Sequence, residues 1–283
     1  MSSVLFDVPG PRARMRHRAY AVIGVVVLVA AVGFVVFRFA ESGQFAGAKW
    51  SWLQYEYVQL ELLSALGNTL RAFAVGAALA LAFGAVFAAG QLSEHAVFRA
   101  PAMFVVELFR AIPLVVLIFV FHYGLSLGAP FYSVVAGLAL YNGSVLAEVF
   151  RAGVLSLPRG QSEAAYALGM RKTQVMVLVL LPQAVRAMLP AIISQLVVLL
   201  KDSALGFLIT YEELLYRARA LGGAFEFGRP LVPVTIVIAA FYIAICLLLT
   251  WLAHTLEKRN RRSKKVIETH TPQKAEDVVA ASV

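Results

Sequence analysis

Two long apolar runs limit what this chain can become: Ala19–Phe37 and Ala72–Leu92 each proceed without one charged residue. A helix needs roughly 20 such residues to cross the ~30 Å hydrocarbon layer of a bilayer. Composition agrees, with 60% hydrophobic and 14% charged residues over 283 positions. A soluble domain carries about 25% charge and about 45–50% apolar residues. The mean hydropathy of +0.78 has the same meaning. The chain is therefore read as an all-α integral membrane protein. The first run is followed by Arg38 without a small-residue cleavage pattern, so it reads as a membrane helix rather than a cleavable signal.

About six crossings are expected, near Ala19–Phe37, Asn68–Leu92, Pro101–Leu125, Phe131–Leu155, Ala187–Thr210 and Leu231–His254. The net charge of +9 sits at their edges. Arg12, Arg14, Arg16 and Arg18 precede the first run, and Lys258, Arg259, Arg261, Arg262, Lys264 and Lys265 follow the last. The loop after the fourth crossing carries Arg151, Arg159, Arg171, Lys172 and Arg186 against Glu163 alone. Lysine and arginine in short loops mark the cytoplasmic side. These three stretches fall on one side by count, which puts both termini and that loop in the cytoplasm. Nucleic acid is not expected as a partner; anionic lipid heads suit the basic tail better. That tail, from residue 257, reads as solvated and in part unfolded.

Within the loop, Pro158 and Gly160 are expected to end the fourth helix and turn the chain. Ser162 reads as an N-cap, with Glu163 in the first turn where a carboxylate suits the helix dipole. Ala164 and Ala165 let a partner surface come close, and Gly169 stops the helix. A short helix facing the cytoplasm between two spans exceeds what a plain connection requires.

Glu163-Ala164-Ala165, then Gly169 after three residues, then Val179, Leu181 and Pro182, resembles the E-A-A-x3-G-x9-I-x-L-P signature of binding-protein-dependent ABC importer permeases. Val179 stands where that signature has isoleucine. Gly67-Asn68-Thr69-Leu70, Glu107–Leu114, Glu148–Gly153 and Lys201–Leu205 are similar to stretches of polar amino acid permeases. The likeness covers roughly residues 60–255 and is strongest to the permease subunits of glutamate uptake systems. It implies a type I ABC importer transmembrane domain with an EAA coupling helix. It also implies an N-terminal segment, extra helix and linker over 1–60, a five-helix core over 61–256, and a basic tail over 257–283.

The resemblance further implies a route for a polar amino acid, glutamate first, by alternating access. The chain would be no enzyme and would bind no cofactor, with ATP and magnesium held by a partner ATPase. The implied partners are a homologous permease subunit (a heterodimer is preferred, a homodimer allowed), two copies of an ATP-binding subunit and an external substrate-binding protein. The setting is the cytoplasmic membrane of the cell. The coupling residues it assigns are Gly160, Ser162, Glu163, Ala164, Ala165, Leu168, Gly169 and Met170.

Polar residues inside the spans are candidates for the path, because charge in hydrocarbon is costly. Glu148 and Arg151, three apart, either pair at the inner end of their helix or meet substrate. Asn142 either bonds another helix or contacts substrate. At least one of Lys201, Asp202 and Ser203 lines a cavity, or the group packs on a partner subunit. Glu107 and Arg110 read as a structural pair, and Pro113, Pro182 and Pro190 as kinks or punctuation. His122 and His254 have no companion at metal-ligand spacing, and Cys246 reads as a small apolar residue in a helix. No phosphate-binding G-x-x-x-x-G-K-[ST] occurs in the chain. The alternative to an ATP-driven permease is an amino acid carrier driven by an ion gradient, with Glu148, Lys201 and Asp202 as its relay.

Overall fold

The structure, a computed structural model, describes residues 10–262. Every regular element among them is helical. Helix α1 (Pro11–Glu41) opens on a proline, whose missing N–H is harmless at that position. Helix α2 (Glu56–Gln91) follows a 3₁₀ turn over Gly47–Gln54. Helices α3 (Ala96–Ala111) and α4 (Leu114–Phe119) come next, the latter running into a π-helical turn, Val120–Gly124. Helix α5 (Pro130–Leu155) leads to the short α6 (Arg159–Ala167) and the single turn α7 (Lys172–Gln174). A π-helical segment, Val175–Leu180, joins α7 to α8 (Leu181–Asp202), which ends in a 3₁₀ stretch, Ser203–Ile209. Helix α9 (Leu214–Gly222) and α10 (Leu231–Arg262) complete the described chain.

Five of these stretches are long and apolar enough to cross a membrane, and six if one bent pair counts as a span. That pair corrects the expected third crossing, because α3 and the segment Leu114–Gly124 meet at 95°. Pro113 is the cause: the residue before a proline is pushed out of the helical region, and Ile112 is extended at φ −84°, ψ 125°. The fourth expected crossing matches Pro130–Leu155 to within one residue, while others overrun their apolar cores. The second helix begins at Glu56 rather than Asn68, and the stretch expected from Ala187 begins at Lys172. The last helix reaches Arg262, so the first residues of the expected tail are helical; Lys264, Lys265 and the rest of the tail lie outside the described residues.

The described chain divides into two compact units. The larger comprises Leu62–Tyr216 and the residues from Ala239. Its centre is α5, packed by α8, α3 and α4, with Val134, Leu138 and Leu146 fully buried. Gly143 on α5 and Gly84 on α2 allow the two backbones to meet. A Cβ on Gly143 would stand 3.1 Å from the Ala80 carbonyl and 2.9 Å from Phe83 Cδ1.

The smaller unit comprises the residues up to Glu61 with Arg217–Ile238. Trp52 is fully buried there, the Tyr55 and Phe227 rings sit 5.4 Å apart, and Arg217 lies 3.4 Å from Glu61. Along α1, the consecutive residues Val25–Val29 are each close to 60% exposed. Consecutive helical positions point about 100° apart, so this helix shows apolar surface in every direction, as a lipid-facing helix does.

Candidate functional site

Helix α6 stands at one end of the larger unit and offers most of its residues to solvent. It begins four residues earlier than its sequence suggests. Pro158, extended at ψ 132°, takes the N-cap position, so Gly160 lies inside the first turn and does not turn the chain. Ser162 is within the helix, its hydroxyl donating to the Arg159 carbonyl at 2.8 Å, and Glu163 falls in the second turn. Leu157 and Pro158, with Ser156, make the turn instead.

The far end matches expectation. Gly169 adopts φ +76° and closes the helix. Its N–H reaches the Tyr166 carbonyl at 2.9 Å, and the Met170 N–H reaches that of Ala165 at 3.3 Å. This paired closure is the Schellman motif, whose left-handed residue is nearly cost-free only for glycine. Ala165 is buried against the protein, while Glu163, Ala164, Ala167 and Leu168 are exposed, Leu168 by 82%. A large apolar side chain is thus held far into solvent beside small residues.

A glutamine missed by sequence reasoning ties this helix to the bundle. Gln183 on α8 donates to Gln161 at 3.2 Å and to the Val179 carbonyl at 2.9 Å. Val179 belongs to the π-helical segment just before Pro182. Proline lacks an N–H and crowds the carbonyl one turn earlier, and the wider π turn accommodates it, while the Gln183 amide bonds the Val179 carbonyl one turn back. A cavity of about 680 Å³ lies in the same unit, lined by Ala88, Phe150, Met176, Met188 and the ion-paired Glu94 and Lys172.

The polar residues of the spans form two clusters. In the first, Asn142, fully buried at the middle of α5, donates from Nδ2 to Asp202 Oδ2 at 3.2 Å and accepts at Oδ1 from Gln195 at 2.7 Å. This bridge joins α5 to α8, and Gln195 had not been singled out. Ser203 is buried, but its hydroxyl returns to the Leu200 carbonyl at 2.7 Å; Lys201 is exposed and makes no part of the bridge. In the second, Arg151 Nη2 lies 3.0 Å from Glu148 Oε2, and Gln91 donates to Glu148 Oε1 at 2.8 Å. The expected Glu107–Arg110 pair does not close. Both side chains are exposed, and Arg110 acts electrostatically on Glu148 instead. Among the described residues, no three His, Cys, Asp or Glu side chains converge as metal ligands would.

At the end of the unit away from α6, Glu213 is fully buried. Its carboxylate accepts from the Leu215 and Tyr216 amides at 2.8 and 2.7 Å and from the Tyr242 hydroxyl at 2.8 Å. Burial pushes this carboxyl up to about 7, against the pull of those three donors. Burial likewise pushes the neighbouring Tyr211 hydroxyl up to about 12. Nothing in the sequence separates Glu213 from the exposed Glu212 beside it, because its partner Tyr242 is 29 residues away.

Residues 63–262 match the model of the binding-protein-dependent transport system inner membrane component. The chain belongs to that family. It is 38% identical over 243 residues to the glutamate transport system permease protein GluD of Corynebacterium glutamicum, covering 82% of this chain and 88% of that one. It is 32% identical over 204 residues to the arginine transport system permease protein ArtQ of Bacillus subtilis, covering 70% and 91%. A crystal structure of an amino acid ABC transporter with histidines superposes with a TM-score of 0.66 at 27% identity, covering 74% of this chain and 98% of that one. This permease is therefore a multi-pass membrane protein of the type I ABC importer fold.

Proposed function

We propose that the chain is the membrane-spanning subunit of an importer for a polar amino acid, glutamate first, moved by alternating access. The observation that carries this reading is α6: an exposed helix, closed by Gly169 and hung from the bundle by Gln183, presenting Glu163, Ala164 and Leu168 outward. Such a face suits a separate ATP-hydrolysing subunit, which would hold ATP and magnesium. Gly160, Ser162, Ala165 and Met170 shape and seat it rather than contact the partner first.

The α6 end and both termini face the cytoplasm in this reading, following the Lys and Arg bias. The Asn142–Gln195–Asp202 bridge supplies the path with amide groups for a polar side chain and a carboxylate for an ammonium group. Glu148 and Arg151, with Gln91, stand nearer the cytoplasmic end. A homologous permease, preferably a different chain, completes the path, with two ATP-binding subunits and an external substrate-binding protein. The relative GluD, named for glutamate transport, supports the first substrate.

The test is Glu163→Lys in a complex reconstituted with its partners. An exposed charge change costs less than about 0.5 kcal/mol of stability. Hydrolysis stimulated by the loaded binding protein is expected to fall by about tenfold or more, equivalent to about 1.4 kcal/mol of lost coupling. Unchanged hydrolysis and uptake, with uptake following an ion gradient, would make the chain a gradient-driven carrier instead.

A further inference from the structure

The buried Glu213 has an arrangement around it that accepts either of its charge states. When the carboxylate is charged, Leu215 N–H, Tyr216 N–H and Tyr242 O–H all donate to it. When it is protonated, its own O–H needs an acceptor. Tyr242 can serve by turning its hydroxyl, which lies within hydrogen-bond reach of Thr69. Thr69 Oγ1 accepts the Leu214 N–H at 3.2 Å and donates to the Ala65 carbonyl at 3.0 Å, which leaves it one lone pair. The neutral state is then a continuous chain, Glu213 to Tyr242 to Thr69 to the Ala65 carbonyl, with no donor left unpaired. Its formation takes one proton from the aqueous phase and changes the charge of no other group.

We propose that Glu213 is a proton-binding positioning residue: one proton taken up there links residues 211–216 and Tyr242 to Thr69, and its release loosens that link during transport. The inference rests on the transport reading above. Its mechanical content comes from where the segment lies. Residues 211–216 directly follow the 3₁₀ end of α8, the helix that carries Gln195 and Asp202. They are pinned to the start of the larger unit by two further bonds, from Asn68 to the Glu212 carbonyl at 2.8 Å and from the Tyr211 hydroxyl to the Asn68 carbonyl at 2.8 Å. Glu213 is thus the titratable member of a polar latch on the non-coupling end of the path helix.

The surrounding charges leave the proton to this group. On the connecting segment stand Tyr211 and Glu212; from α2, Arg71 sits 4.4 Å over the Phe131 ring and acts on Tyr211. From α10, Tyr242 has Cys246 beside it. Further along α9, Arg217 is paired with Glu61, and Arg219 follows it. The groups that act on the Glu213 carboxyl itself are the two amides and Tyr242, besides burial, and none is a cation. A carboxyl raised in this way stabilises the fold most below the ordinary range near about 4.3. That contribution is lost as pH rises through about 7.

The experiment compares wild type with Glu213→Gln in the assembled complex, measuring hydrolysis stimulated by loaded binding protein across neutral pH. Glutamine keeps the shape and imitates the neutral state permanently. The ratio of wild type to variant is expected near one at low pH and to change about threefold between about pH 6 and about pH 8, with a midpoint near 7. A ratio that stays constant overturns the inference, since a purely structural loss lowers both arms alike. Tyr242→Phe removes the relay while keeping the ring and is expected to move the midpoint; an unmoved midpoint counts against the relay. An infrared titration in lipid does not depend on transport. A protonated-carboxyl band that wild type loses near neutral pH, and that Glu213→Gln lacks, supports the proton site, and its absence in wild type overturns it. A wild-type complex that shows no stimulation at any pH, yet has that band, defeats the transport reading and leaves the proton site standing.

Discussion

Helices α5 and α6 are separated by three residues of chain, Ser156 to Pro158, and relate to the protein in opposite ways. In α5, 61% of the most apolar window is buried, including Asn142, Gly143 and Ser144. In α6, Ala165 is the one buried residue. The contrast teaches where a lost activity can be traced to a lost fold. A substitution in α5 acts through packing, because protein interiors are close-packed and yield little. A substitution on the outward side of α6 changes what a partner meets and leaves the bundle intact.

The largest effect is expected at Gly143, in the enclosed helix. Leucine there has the Ala80 carbonyl and the Phe83 ring in its way, and overpacking of this kind costs about 3 kcal/mol. Loss of the assembled complex on size-exclusion chromatography in detergent is expected. Normal yield and thermal midpoint would show that α2 and α5 can separate. A smaller effect is expected at Gly169, whose φ of +76° a β-branched residue adopts poorly. Gly169→Val should cost about 1–2 kcal/mol locally, seen as impaired ATPase association with the global thermal midpoint unchanged; a lowered midpoint would make α6 part of the core. The smallest is Gln183→Leu. It removes the bonds to Gln161 and Val179, worth about 1 kcal/mol each or less, and should weaken coupling by several-fold with substrate binding untouched. Coupling equal to wild type would mean that Ala165 alone seats the helix.

What the sequence disclosed follows the same division. Apolar runs mark α1, α2, α5, α8 and α10 because the membrane demands length and apolarity in consecutive residues. The α6 motif is legible because its residues, from Glu163 to Gly169, act within two helical turns. Helix ends were missed at Glu56 and Lys172 because helices continue past the apolar layer, where composition no longer marks them. Ser162 was misplaced because Pro158 can start a helix directly, which makes a serine cap unnecessary. Gln195, Gln91 and Gln183 went unnoticed because their partners lie 53, 57 and 22 residues distant. Apolarity also does not say which side is protein: α1, the more apolar helix, is not buried at all in its window, whereas α5 is mostly enclosed.

The π-helical segment Val175–Leu180 has a geometrical consequence for everything after it. A turn that holds one residue more than an α-turn sets the following helix back by about 100° relative to an unbroken α-helix of the same numbering. A helical wheel drawn unbroken from Lys172 therefore assigns Gln195 and Asp202 to the wrong side. Removing one residue from that segment would let it close as an ordinary α-turn with Gln195 and Asp202 still facing Asn142, whereas removing one residue from α8 before Gln195 would swing the Gln195 amide and the Asp202 carboxylate out of line. The path is thus kept in line some 15 residues before it is reached, by a phase shift rather than by any contact.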